Sequence, residues 1–89
     1  MSSETIELLR QRLALLQPET VVIVDDSHRH AGHAGARSGG GHYRLTIDSA
    51  AFSGKNTLAR HRLIYDALGE MMRREIHALA IQAKSPEEQ

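Results

Sequence analysis

Two runs of strand-forming residues, separated by a segment rich in glycine and histidine, restrict the fold of this chain most strongly. The β-branched run at residues 21–24 predicts a strand that is buried on both faces or central in a small sheet. Residues 42–49 alternate, with Tyr43, Leu45 and Ile47 on one side, as expected of a half-buried strand. We expect these two strands to form an antiparallel pair.

Helical periodicity precedes and follows the two strands. Residues 4–16 have apolar side chains at helical spacing, and Pro18 ends this helix because its ring cannot continue one. Asn56 is a suitable N-cap for a second helix. The predicted apolar stripe of the second helix is Leu58, Tyr65, Leu68 and Met72, widened by Ile64 and Met71. Gly69 is expected to kink or divide this segment.

A third strand is predicted at residues 77–83, with His77, Leu79 and Ile81 on one side. The element order is therefore α-β-β-α(α)-β. A helix between two strands of one sheet implies a right-handed crossover to a parallel strand. The predicted fold class is α+β, with a three-stranded mixed sheet and helices on one face, in two layers.

The length and the missing cysteines limit the organisation of the molecule. At 89 residues the chain is expected to form a single domain, 1–89, with a flexible loop at 28–41 and a disordered tail from about 84 to 89. With no cysteine, a disulfide framework, a cysteine-based zinc site and a self-contained iron-sulfur site are excluded.

Charge and hydropathy exclude other classes of protein. Eleven Lys and Arg balance eleven Asp and Glu, so the strong positive field of a non-specific nucleic-acid binder is missing. No apolar run approaches the roughly 20 residues of a membrane span. The acidic, helical N-terminal sequence does not resemble a signal peptide. A soluble cytoplasmic protein without a membrane segment is the expectation.

Motifs of common enzyme classes do not occur in the sequence. It contains neither a G-x-S-x-G elbow nor an H-E-x-x-H pair. The glycines at 39–41 precede a strand rather than a helix and lack the lysine of a P-loop. We therefore predict that the chain is not an enzyme.

Three histidines lie in the glycine-rich segment, at His28, His30 and His33. Imidazole is a common metal ligand and titrates near neutral pH. One alternative is that these side chains bind zinc directly. With no cysteine, and with Asp25 and Asp26 as the nearby carboxylates, such a site would be open and weak.

The other three histidines each have a simpler structural interpretation. His77 shares a side with Leu79 and Ile81, which predicts a histidine at the edge of the core, held by a backbone carbonyl. His42 lies on the polar side of its strand and is most simply solvated. His61, between two arginines on the second helix, is most simply a packing or capping residue.

Five motifs in their mutual spacing resemble the BolA family. They are D-D-S-H-R-H at 25–30, G-H-Y at 41–43, F-S-G-K at 52–55, L-A-R-H-R-L-I-Y at 58–65 and I-H-A-L-A-I at 76–81. The fold that this resemblance implies is similar to a class II KH domain and agrees with the element order above.

The resemblance implies a heterodimer with a monothiol glutaredoxin and a shared 2Fe-2S cluster, in cluster trafficking or iron regulation. The glutaredoxin and a bound glutathione supply thiols, and the BolA-like partner supplies histidines. These fall on His77 and His30, with His28 and His33 as less favoured loop ligands. His61 matches a family histidine, for which we favour a structural or partner-facing role. Alone, the protein is expected to hold no cofactor and to be a monomer or weak homodimer.

A nucleic-acid-binding regulator of the stress response is the alternative that the resemblance implies. A basic cluster around the second helix favours it: Lys55, Arg60, Arg62, Arg73 and Arg74. The zero net charge, the few aromatic residues and the missing G-x-x-G loop of KH domains argue against it. Contact with DNA, where it occurs, is expected to be salt-sensitive.

Overall fold

Two α-helices and three strands, with short 3₁₀ turns, make up the regular structure of the described residues. The computed structural model describes residues 2–26 and 41–88. The elements are α1 (Ser2–Leu13), β1 (Thr20–Asp25), β2 (Gly41–Asp48), α2 (Thr57–Leu68) and β3 (Ile76–Lys84). The predicted loop at 28–41, with the ligand candidates His28, His30 and His33, lies outside the described residues except for Gly41.

The three strands form one mixed sheet in the order β1-β2-β3. β1 pairs antiparallel with β2, and β3 runs parallel to β2. Leu45 of β2 lies opposite Ile23 of β1 and Ile81 of β3, so side chains of all three strands share one face. This arrangement confirms the α+β prediction with a three-stranded mixed sheet.

The core lies between that face of the sheet and the two helices. Alternation in β2 buries Tyr43, Leu45 and Ile47, as predicted. The helices and the connecting turn contribute further buried side chains, namely Leu9, Leu13, Phe52, Ile64, Leu68 and Met71. None of the helices in the described part of the chain is long and apolar enough to cross a membrane.

The prediction that β1 is central or buried on both faces is wrong. β1 is an edge strand, because its ladder is with β2 alone. Ile23 faces the core, whereas Val22 and Val24 are 47% and 42% exposed. The helices cover one face of the sheet, so the valines on the other face remain at the surface.

The predicted start of α2 is confirmed, but its predicted apolar stripe is only partly right. The Asn56 side chain accepts a hydrogen bond from the Ala59 amide at 2.9 Å. Ile64 and Leu68 are buried, whereas Leu58 is 62% exposed and Tyr65 is 42% exposed. The face turned inward is therefore offset from the predicted stripe.

Gly69 divides the second helical segment, as predicted. Its φ of +56° lies in the left-handed region, which favours glycine, and its amide donates to the Tyr65 carbonyl. The chain then continues as the 3₁₀ turn Gly69–Arg73.

The structure describes residues up to Glu88 in the C-terminal segment, where a disordered tail was predicted from about residue 84 to 89. Ser85 is buried, and Pro86–Glu88 forms a 3₁₀ turn. Arg60 of α2 donates to both carboxylate oxygens of Glu88, at 2.6 and 3.0 Å. The local sequence, a proline with acidic neighbours, does not predict the ion pair with Arg60, which is distant in sequence.

Candidate metal-binding site

Three chain segments meet where β1 ends, β2 begins and β3 begins. The Asp26 amide donates to the His42 carbonyl at 2.7 Å, and the Gly41 amide donates to the Glu75 carbonyl at 3.0 Å. Asp26 is therefore fixed beside the start of β2, and Gly41 is fixed beside the first residues of β3. His77 is the second residue of that strand.

An extra residue in β3 sets the position of His77. Gly41 lies opposite Ile76, but His42 lies opposite Ala78, so His77 is the unpaired residue of a bulge. Ile76 is buried and Leu79 also packs against the core, an odd spacing that requires such an insertion. The prediction that His77 shares a side with Leu79 and Ile81 is wrong, because the bulge leaves His77 exposed.

The imidazole of His77 lies beside that of His42. The two ring centroids are 5.0 Å apart and the ring planes are inclined by 48°. His42 is partly buried, and the ring contact shows that it is more than a solvated surface residue. Across residues 2–26 and 41–88, no backbone carbonyl accepts a hydrogen bond from the His77 imidazole, so the side-chain contact to a carbonyl predicted for it is not found there.

A glycine fixes the path of the chain just before His42. A Cβ atom at Gly41 would lie 2.6 Å from Cε2 of Tyr43, closer than side chains tolerate. Tyr43 is itself buried, and this burial raises the pKa of its phenol above the ordinary value of 10.0. The packed tyrosine and the glycine together hold the backbone that presents His42.

The Asp26 carboxylate, just after β1, is engaged by an arginine. Arg44 donates through Nε to Oδ2 of Asp26 at 2.6 Å and through Nη2 to Oδ1 at 3.3 Å. In the described ranges, no group of three or more histidine, cysteine or acidic side chains is arranged to hold a metal ion. The His42 and His77 pair therefore offers two nitrogen ligands, and any further ligand has to come from elsewhere.

The remaining predicted site residues lie on α2 or in the segments just before and after it. His61 is partly buried, and its ring meets Tyr65 edge to face with centroids 6.3 Å apart. This contact fits the structural or partner-facing role expected of it.

The predicted basic cluster is partly neutralised. Arg60 is paired with Glu88, and its side chain is only 11% exposed. Arg74 pairs with Glu70 at 3.3 Å. Lys55, Arg62 and Arg73 are exposed.

Sequence reasoning identified His77 but missed His42 as its neighbour. In the G-H-Y motif, alternation alone places His42 on a polar face and indicates no partner for it. The contact between the His42 and His77 rings follows from the parallel register of β2 and β3 and from the bulge. Neither feature can be predicted from a local sequence pattern. An unexplained histidine at a strand end beside a long loop was the only available signal.

Comparison with known proteins identifies the family. A sequence model described as BolA-like protein matches residues 13–88. SufE-like protein 1 of Arabidopsis thaliana is 45% identical to this chain. The match covers 82% of this chain and 21% of that longer protein. The DNA-binding transcriptional regulator BolA of Escherichia coli is 37% identical over 83% of this chain and 72% of its own length.

A solved structure agrees with these sequence matches. BolA1 from Arabidopsis thaliana superposes with a TM-score of 0.77 at 36% identity, covering 93% of each chain. The likeness thus extends to the arrangement of helices and strands over nearly the whole length. The chain belongs to the BolA family.

Proposed function

We propose that this chain pairs with a monothiol glutaredoxin and donates imidazole ligands to a shared 2Fe-2S cluster, in cluster trafficking or iron regulation. The observation that carries the proposal is the position of His77, an exposed imidazole at the start of β3 with no hydrogen bond to a described residue. Neutral imidazole is a good ligand for iron. A chain without cysteine needs a partner to supply the thiolates.

The loop ligand implied by the family resemblance is compatible with the fixed ends of the segment. His30 follows Asp26 by four residues, and Asp26 is hydrogen-bonded to His42, whose ring contacts His77. Four extended residues span at most about 14 Å. This length supports His30 as a ligand candidate beside His77, with His28 and His33 as the alternatives.

The donor set explains why such a cluster suits transfer. When bound, the cluster is a redox-active cargo held by thiolates of the partner and of glutathione together with imidazoles of this chain, a mixed ligation that raises its potential. A protonated imidazole cannot bind a metal, so imidazole ligation weakens at low pH. We expect release at the histidine side of the shared cluster.

Reconstitution with a monothiol glutaredoxin and glutathione tests the proposal. The visible absorbance and circular dichroism should change when this chain is added. His77→Ala should abolish that change, whereas the matched control His61→Ala, on α2, should preserve it; His30→Ala tests the loop ligand. Identical spectra with and without the wild-type chain would overturn the proposal.

Nucleic-acid binding is the second candidate, favoured by the name of the Escherichia coli relative, a DNA-binding transcriptional regulator. The exposed cations Lys55, Arg62 and Arg73 are available for phosphate contacts, whereas Arg60 is held by Glu88. Any binding to duplex DNA should weaken steeply with salt. Absence of binding at low ionic strength would exclude this candidate.

A further inference from the structure

We propose that His42 and His77 together bind one transition-metal ion on the isolated domain, as a two-imidazole half-site that water completes. This inference concerns the sheet itself and requires no glutaredoxin. It adds His42 as a metal ligand and makes the paired strands, rather than the glycine-rich segment, the principal metal-binding element of the free protein.

The separation of the rings matches the separation that a shared metal imposes. An imidazole nitrogen binds zinc at about 2.0–2.1 Å, and the ring centroid lies about 1.2 Å behind it, so two rings at the tetrahedral angle of about 109° have centroids roughly 5.2 Å apart. The centroids of His42 and His77 are 5.0 Å apart. Little movement of the backbone is therefore needed to accommodate an ion.

The strands hold this pair close to its binding arrangement. His42 lies within the ladder that β2 forms with β3, and its carbonyl accepts a hydrogen bond from the Asp26 amide. The bulge places His77 between two paired residues. Each ring can reorient about its side-chain torsions while the backbones stay in register. A preorganised pair loses less conformational entropy on binding than ligands on a long loop.

The chemistry of the donors selects the class of ion. Neutral imidazoles favour zinc, cobalt, nickel, copper or iron over magnesium and calcium, which prefer oxygen ligands. The guanidinium of Arg44 on the same strand is paired with Asp26, so its positive charge is offset near the site. The half-site lacks a third ligand among the described residues, which predicts exchangeable binding.

Titration of the purified chain with Zn²⁺ at about pH 7.5, where most unperturbed imidazoles are neutral, tests the inference. Imidazole nitrogen shifts in NMR spectra report which histidines bind, and Co²⁺ absorbance reports the coordination geometry. The variants are His42→Ala, His77→Ala and the triple loop variant His28→Ala, His30→Ala and His33→Ala. His61→Ala is the matched control.

We expect the nitrogens of His42 and His77 to shift together in the wild-type protein. Mutation of second-shell partners already costs 10- to 100-fold in metal affinity, so loss of either ligand should weaken binding by at least about tenfold. The triple loop variant and His61→Ala should bind as the wild type does.

Three results would overturn the inference: no shift of His42 on titration, unchanged affinity of His42→Ala, or loss of the site in the triple loop variant. The shifts are read in the wild-type protein, so an unstable variant does not decide the outcome. Because no glutaredoxin is present, failure here leaves the cluster proposal standing, and failure of cluster reconstitution leaves the half-site standing.

Discussion

At the scale of single residues, the Glu88 carboxylate shows how the fold changes the ionisation of one group. The hydrogen bond from Arg60 is the largest cause, and with the Ser85 amide it lowers the pKa of Glu88 from 4.5 to about 2. Because the pKa of Glu88 is lower in the folded state than in the unfolded state, the contact with Arg60 stabilises the fold at pH values above the unfolded-state pKa. This stabilisation is lost as the pH falls through the folded-state pKa.

We therefore predict that Glu88→Gln lowers the melting temperature at neutral pH and that the difference from wild type disappears between about pH 4.5 and pH 2. Thermal melts followed by circular dichroism across this range measure it. Glu70→Gln is the control, since Glu70 pairs with Arg74 where both side chains are more than 70% exposed and such pairs contribute little. A pH-independent difference for Glu88→Gln would contradict the assignment.

Individual site residues were predictable from the sequence only as candidates. His77 stood out by its motif, but its surroundings depended on one inserted residue, because a one-residue change of register moves a side chain to the other face of a sheet. His42 became a candidate ligand only when the register of β2 and β3 brought its ring to His77.

At the scale of elements, α2 shows what hydrophobic periodicity leaves open. This helix has apolar residues on more than one side, and the seven-residue spacing from Leu58 to Tyr65 suggested one stripe. The buried face instead includes Ile64, Leu68 and the small Ala67, which allows close approach to neighbouring elements. Two faces of α2 have similar hydrophobicity in the sequence, and packing against α1 and the sheet determines which of them is buried.

This choice of face predicts a contrast between two truncations in α2. Ile64→Ala should destabilise the protein by about 2–4 kcal/mol, because it leaves a cavity in the core. Leu58→Ala should change the stability by no more than about 0.5 kcal/mol, as expected of an exposed side chain. Urea denaturation of both variants checks the contrast. Equal losses in the free energy of unfolding would support the apolar stripe predicted from the sequence.

At the scale of the whole molecule, the order of elements was enough to predict the mixed sheet and the parallel third strand. It was not enough to place β1, since a run of valines suits an edge strand with one exposed face as well as a central strand. The position of a strand depends on which neighbours pair with it, and these pairings join residues distant in sequence.

The C-terminal segment joins distant parts of the molecule and gives a prediction that separates stability from metal binding. Beyond β3, Ser85 is buried, Glu88 binds Arg60, and Glu87 accepts a hydrogen bond from Ser53 at 3.0 Å. Deleting residues 85–89 removes all three contacts. The melting temperature should fall further than in Glu88→Gln, while deletion of Gln89 alone serves as the control.

Metal binding should survive this deletion if the truncated protein remains folded below its lowered melting temperature. His77 lies near the first residue of β3 and Ser85 follows its last, and eight residues of strand at about 3.3 Å each separate them by roughly 26 Å. Zn²⁺ titration at a temperature where the deletion variant is folded should therefore give the wild-type shifts at His42 and His77. Loss of those shifts in the folded variant would show that the two ends of β3 are coupled.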